Sequence, residues 1–192
     1  MYGILYLKRC NCKKWYNNMN KDCFQDFTTM ISIALSLCSY ISGEISYDFH
    51  SAVKDSELTK KRCIDIAMKQ FIPPIDREDI TYLVLKLHKL NLGLYELANY
   101  KNSFFPKKDL KNHIAPLKAI CAKIREAFEN NLSKTDYSNL IISKPTEMQF
   151  TENKYSALYL IYEYKLYDLI RLCTATASDL NDYLIRTVIK NT

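Results

Sequence analysis

Seven cysteines and three histidines are the side chains of this 192-residue chain best suited to chemistry. The cysteines stand at positions 10, 12, 23, 38, 63, 121 and 173. An odd number at scattered spacings is not a disulfide framework. Several fall on apolar helical faces, where a free thiol packs as a small hydrophobe. That usage fits a reducing, cytoplasmic compartment. Cys10-Asn11-Cys12, set among Lys8, Arg9, Lys13 and Lys14, offers soft metal ligands. A structural zinc site needs four ligands, usually as two spaced pairs, and the chain has no second pair. His50, His88 and His113 are far apart in sequence. There is no P-loop, GxGxxG, GxSxG or HExxH pattern. The expectation is a protein that is not an enzyme and carries no cofactor.

Net charge is +6, with basic residues gathered at Lys60-Lys61-Arg62 and from Lys107 to Lys123. Such charge can attract nucleic acid, anionic lipid or acidic partners. Neither a helix-turn-helix signal nor interleaved aromatic and basic residues accompanies Lys60, Lys61, Arg62, Lys107, Lys108 and Lys111, so no nucleic acid is expected as a partner. The apolar start MYGILYL precedes its basic residues, the reverse of a signal peptide. No segment reaches the roughly 18–20 apolar residues that span a bilayer.

The elements that would position any site are helices. Glycine occurs only at 3, 43 and 93, too seldom for a turn-rich sandwich or barrel. A first helix is predicted over about Lys21–Ser46, with Phe24, Phe27, Ile31, Ala34, Cys38, Ile41 and Ile45 inward. A second is predicted over about Ala52–Ile72, with Leu58, Ile64, Ala67, Met68 and Phe71 inward. The third follows Pro73-Pro74. Asp76 is its N-cap, Glu78 and Asp79 charge its first turn, and Ile75 and Ile80 form a staple. Ile80, Leu83, Leu87, Leu90, Leu94 and Leu97 recur at helical spacing along it. A fourth is predicted over about Lys108–Leu132, kinked or delayed by Pro116. A short helix is predicted near Asp136–Ser143, with a turn at Lys144-Pro145. A last helix is predicted over about Glu152–Lys190, with Tyr155, Leu158, Tyr162, Leu166, Leu169, Cys173, Thr176, Leu180 and Leu184 inward. The whole reads as a basic N-terminal arm, 1–21, and an all-α domain, 22–192.

The stretch FIPPIDREDI, the leucine helix after it and the C-terminal VIKNT resemble the PhoU-like family of predicted phosphate transport regulators. The branch is the one encoded beside Pit-type inorganic phosphate transporters. The resemblance covers about Asp22–Thr192 and is strongest over 71–100. It implies an elongated helical bundle, two stacked three-helix bundles, over about 22–103 and 107–192. It also implies carboxylates on facing helices that hold multinuclear metal clusters. Here the acidic cluster before the proline motif falls on Asp55-Ser56-Glu57. The two aspartates of the third helix fall on His88 and Leu92, and the acidic pair of the last helix on Arg171 and Ala175. Asp168 and Asp179 remain acidic and fall to the outer face. Leucine and arginine do not ligate metals, so the multinuclear site is expected to be lost. Asp55, Glu57 and His88 are the residual metal candidates, a set that would suit one transition-metal ion. The function implied is a non-enzymatic cytoplasmic regulator of inorganic phosphate transport, at the inner face of the membrane. It would act through protein–protein contact with a Pit-type membrane phosphate transporter or its regulator, and a homodimer is a further pairing. The alternative is a structural or adaptor bundle that kept the fold and lost the metal site.

Overall fold

The computed structural model describes the backbone of residues 3–69, 75–130 and 157–191, and side chains within 22–69, 75–130 and 157–187. All described secondary structure is helical: α1 (Gly3–Ile41), α2 (Phe49–Lys69), α3 (Arg77–Phe104), α4 (Lys111–Glu129) and α5 (Ala157–Asn191). None of these helices, among the described residues, is long and apolar enough to cross a membrane.

Two seams of large aliphatic side chains place the helices. Ile80, Leu83, Leu87, Leu90, Leu94 and Leu97 of α3 are sealed from solvent, as are Ile114, Leu117, Cys121, Ile124 and Phe128 of α4 and Leu110 before it. Burying each such aliphatic or phenyl side chain contributes roughly 1.5–3 kcal/mol relative to exposure. One continuous core runs through all five helices. α3 packs against α1, α2 and α5; α4 packs against α1 and α5.

Contacts along the helices fix their directions. Cys23 meets Cys63 while Tyr40 lies on Phe49, and Ser56 meets His88 while His50 meets Tyr95, so α2 runs antiparallel to α1 and to α3. Asn91 meets Met30 and Asn102 meets Tyr40, so α1 and α3 run parallel. Phe27 stacks on Phe128 at 4.8 Å while Lys118 pairs with Glu44, so α4 is antiparallel to α1. Tyr183 bonds Asp79 and Tyr100 bonds Tyr162, so α5 is antiparallel to α3. Lys108 pairs with Glu163 and His113 lies on Tyr167, so α4 and α5 are parallel neighbours. The result is an up-up-down-down ring of α1, α3, α5 and α4, with α2 in the groove between α1 and α3.

The structure differs from the sequence expectation at several points. Helical backbone begins at Gly3, so the stretch expected as a basic arm continues into α1. α1 stops at Ile41 rather than near Ser46. Gly43 takes a positive φ of 76°, its amide bonds Tyr40 O at 3.0 Å, and the Glu44 amide bonds Ser39 O at 2.9 Å. This is a Schellman stop, and it leaves Ile45 45% exposed instead of inward. α2 turns a different face to the core: Ala52, Ser56, Thr59, Cys63 and Ala67 are buried, while Leu58 and Met68 are exposed. Leu158, expected inward on the last helix, is exposed.

Asp76 is at the N-cap of α3, with the Ile80 amide on its carbonyl at 3.0 Å, but its side chain makes no capping bond. α4 starts at Lys111, where Asp109 accepts the Lys111 amide at 2.8 Å. Pro116 therefore lies inside α4 and forfeits one backbone bond. Over 22–103, expected as one three-helix unit, the described helices are α1, α2 and α3, and they pack on α4 and α5 as well as on one another. The half expected over 107–192 supplies α4 and α5 among the described residues. They close onto α1 and α3. Pro73-Pro74, the helix near Asp136–Ser143, the turn at Lys144-Pro145, Phe71 and Tyr155 lie outside the described residues.

A Cβ added at Gly43 meets nothing within 4 Å, so a substitution there probes backbone conformation alone. Gly43→Ala should cost about 1–2 kcal/mol in chemical denaturation, and Gly43→Asn, which tolerates this conformation, clearly less. Equal losses would show that the stop is not conformational.

Candidate functional site

His88 is the centre of a polar constellation that links two of the expected site residues, His88 itself and Glu57. It projects from α3 toward α2. Its Nε2 lies 3.1 Å from Glu57 Oε2, and its Nδ1 lies 3.0 Å from Ser56 Oγ. The ionised Glu57 carboxylate only accepts, so Nε2 carries the hydrogen and Nδ1 accepts from the Ser56 hydroxyl. Ser56 Oγ in turn accepts from Asn91 Nδ2 at 3.1 Å, and the same amide donates to Met30 O at 3.1 Å. A chain of bonds thus runs from the rim inward and ties α1, α2 and α3 together. Asn91 Oδ1 is buried without a partner, which costs about 1–3 kcal/mol.

Asp55 does not join this group. Successive residues turn about 100° around a helix. Asp55 lies two steps from Glu57 and is exposed on the other side of α2. Among the described residues, no group of three or more His, Cys, Asp or Glu side chains could hold a metal ion. Glu57 is also engaged by Lys60 at 2.5 Å and Lys61 at 3.6 Å. The hydrogen bond from Lys60 is the main reason its carboxyl is held below the usual range. The donors present do not fit a metal centre. Leu92 is 41% exposed, and Arg171 forms a surface ion pair with Asp168 at 2.6 Å. Leu92, Arg171 and Ala175, three of the positions that the resemblance assigns to ligands, thus lie at the surface.

Ser56, His88 and Glu57 follow one another as a nucleophile, base and acid would. The geometry does not deliver that chemistry. Ser56 is sealed from solvent inside α2, so its oxygen meets no substrate. Burial first, then the charge of Lys60, pushes the His88 imidazole below its ordinary value, against the pull of Glu57. His88 is therefore a neutral rim histidine that closes a polar chain.

The five described thiols are likewise turned inward, and the side chains of Cys10 and Cys12 lie outside the described residues. Cys23, Cys38, Cys63, Cys121 and Cys173 are free and buried. Cys23 and Cys63 face each other across the α1–α2 seam with Sγ atoms 3.4 Å apart. Their mutual hydrogen bond and burial raise the Cys63 thiol. The hydrogen bond with Cys121, then burial, raises Cys38. Burial pushes Cys173 up to about 12. A protonated, buried thiol is a poor nucleophile. Beside them Asp26, 1% exposed, takes the Arg62 guanidinium, whose Nε donates to both carboxylate oxygens at 2.8 and 3.1 Å.

The sequence grouped Asp55, Glu57 and His88; the structure joins only Glu57 and His88 and adds Ser56 and Asn91, to which the sequence assigned no role. Ser56 was visible in the spacing Ala52, Ser56, Thr59, Cys63, a stripe of small residues rather than large ones. Asn91 had no signal beyond standing beside Leu90 in an apolar helix.

Two outcomes check this account. His88 and His113 are both lowered chiefly by burial, so the unfolded chain takes up protons first as pH falls. Their stabilisation is complete above about pH 6.5 and is lost as pH drops from there toward the folded values, by at most about 1.4 kcal/mol per histidine per pH unit. Denaturation between pH 7 and 5.5 should show this slope, reduced by His88→Gln and again by His113→Gln; an unchanged slope in both variants would refute the assignment. Iodoacetamide should label none of the five buried thiols in the native chain and all of them after denaturation. Prompt native labelling of Cys23 or Cys63 would mean that the α1–α2 seam opens freely.

No protein-family model, curated protein or solved structure matches this chain.

Proposed function

We propose that the chain is a non-enzymatic helical adaptor acting in the cytoplasm through protein–protein contact. One contrast carries the reading. Among the described residues, the thiols and the Ser56–His88–Glu57 group are turned inward or bonded to neighbours, while several large apolar side chains are turned out. Leu58 of α2 and Leu85 and Leu92 of α3 are 55%, 49% and 41% exposed. Apolar surface left open on a helical bundle is what a partner surface offers. Photo-crosslinking residues placed at Leu85 and Leu92 in living cells should yield a discrete adduct with a second, different protein. Adducts with the chain itself alone, or none, would sink the adaptor reading.

A narrower reading is that the chain regulates inorganic phosphate transport by contacting a Pit-type transporter. It is favoured by FIPPIDREDI leading into α3, with Asp76 at the N-cap and Ile75 and Ile80 both buried. The transporter should then co-purify with the chain, and deleting the gene should change phosphate uptake. Unchanged uptake together with no co-purification removes this reading and leaves the adaptor.

A further inference from the structure

α5 packs its inner face on α3 and α4 and on no other helix among the described residues. Its outer face carries a second periodic stripe. Ile161, Tyr164, Asp168, Arg171 and Ala175 follow one another at spacings of 3 or 4, with Leu172 beside them. Ile161, Tyr164 and Leu172 are 63%, 62% and 52% exposed. An alternation of 3 and 4 averages 3.5 residues, the period of a helix–helix seam. The middle of the stripe holds the Asp168–Arg171 ion pair, whose side chains are 45% and 78% exposed.

The stripe is complementary to its own reversal. Let a second α5 lie antiparallel, with a twofold axis midway between 168 and 171. Residues equidistant from the axis then meet. Asp168 of each copy faces Arg171 of the other, and Tyr164 faces Ala175, a large side chain against a small one. Acid meets base twice, and neither ring meets a ring. Shifting one helix by a turn sets the charges against apolar side chains instead. A lipid surface fits less well, because it would cover the ion pair without supplying new partners. A twofold interface requires one patch to complement itself in this way. We propose that the outer face of α5 pairs antiparallel with the same face of a second copy, making the protein a homodimer. The proposal does not rest on the adaptor reading, since it concerns a different face and a different occupant.

Sedimentation equilibrium of the full chain, from micromolar concentrations upward, tests it. The expected mass is twice that of the 22.5 kDa chain. Asp168→Arg sets two arginines against each other across the axis, and Arg171→Asp sets two aspartates. Each variant alone should dimerise at least about tenfold more weakly. An equimolar mixture of the two should regain wild-type association, because each acid then finds a base on the other chain. Ile161→Ser, which leaves the charges alone, should also weaken association. All three positions are at the surface, and circular dichroism confirms that each variant folds. A wild-type chain that stays monomeric overturns the proposal. So does a dimer indifferent to both charge reversals, or a mixture that fails to recover.

Discussion

The fold depends on the enclosure of α3. Three helices, α1, α2 and α5, lie against it, so it must hide several of its sides with one sequence, leaving open a stripe through Leu85, Lys89, Leu92 and Glu96. The leucine seam covers one side. Toward α5 the chain uses Gly93, where an added Cβ would stand 3.0 Å from Cys173 Sγ. Glycine inside a helix costs about 1 kcal/mol relative to alanine; here it permits close approach of the two backbones. Toward α1 and α2 the covered residue is Asn91, and burying an amide requires partners. Met30 O and Ser56 Oγ supply them for its donor. Enclosure thus dictates the polar chain as well as the greasy one.

Large aliphatic repeats made α3 and α4 legible, because side chains of that size at helical spacing have few places to go except a core. α2 was misread for the same reason. Leu58 and Met68 drew the eye, yet α2 lies in a groove between α1 and α3, and a helix seated in a groove turns its small side chains inward. Ala52, Ser56 and Ala67 fill that role. The positive φ open to Gly43 is what ends α1. Neighbour relations were less legible still. Which seam meets which depends on matching surfaces in space, and nothing in the spacing of Phe27 or Phe128 announces their stacking. At the site, Asp55 failed through about half a turn of geometry: two residues along a helix point to opposite sides. Glu57 and Ser56 stand on adjacent sides, so both reach one imidazole.

The interior also sorts protonation states. Removal from water disfavours a charged form unless a partner compensates. His88 and His113 are pushed toward neutrality, and the buried thiols toward their protonated form. The buried carboxyl group of Asp26 is met by Arg62, which reaches in from the surface. Among the described residues, the histidine, thiol and carboxylate groups of this interior are bonded to neighbours within the bundle.

The parallel placement of α4 and α5 has a kinetic consequence. α4 ends beside the start of the described core of α1, whereas α5 begins at the opposite pole. Closing the ring therefore joins segments remote along the chain, such as Asp79 and Tyr183, which are separated by 104 positions. Remote pairings demand the most loop-closure entropy and slow the search. The hairpins of α1 with α2 and α2 with α3 need only short-range closure. A nascent chain emerging from the ribosome can gather those three helices early, and it then holds an open apolar trough until the last helix arrives.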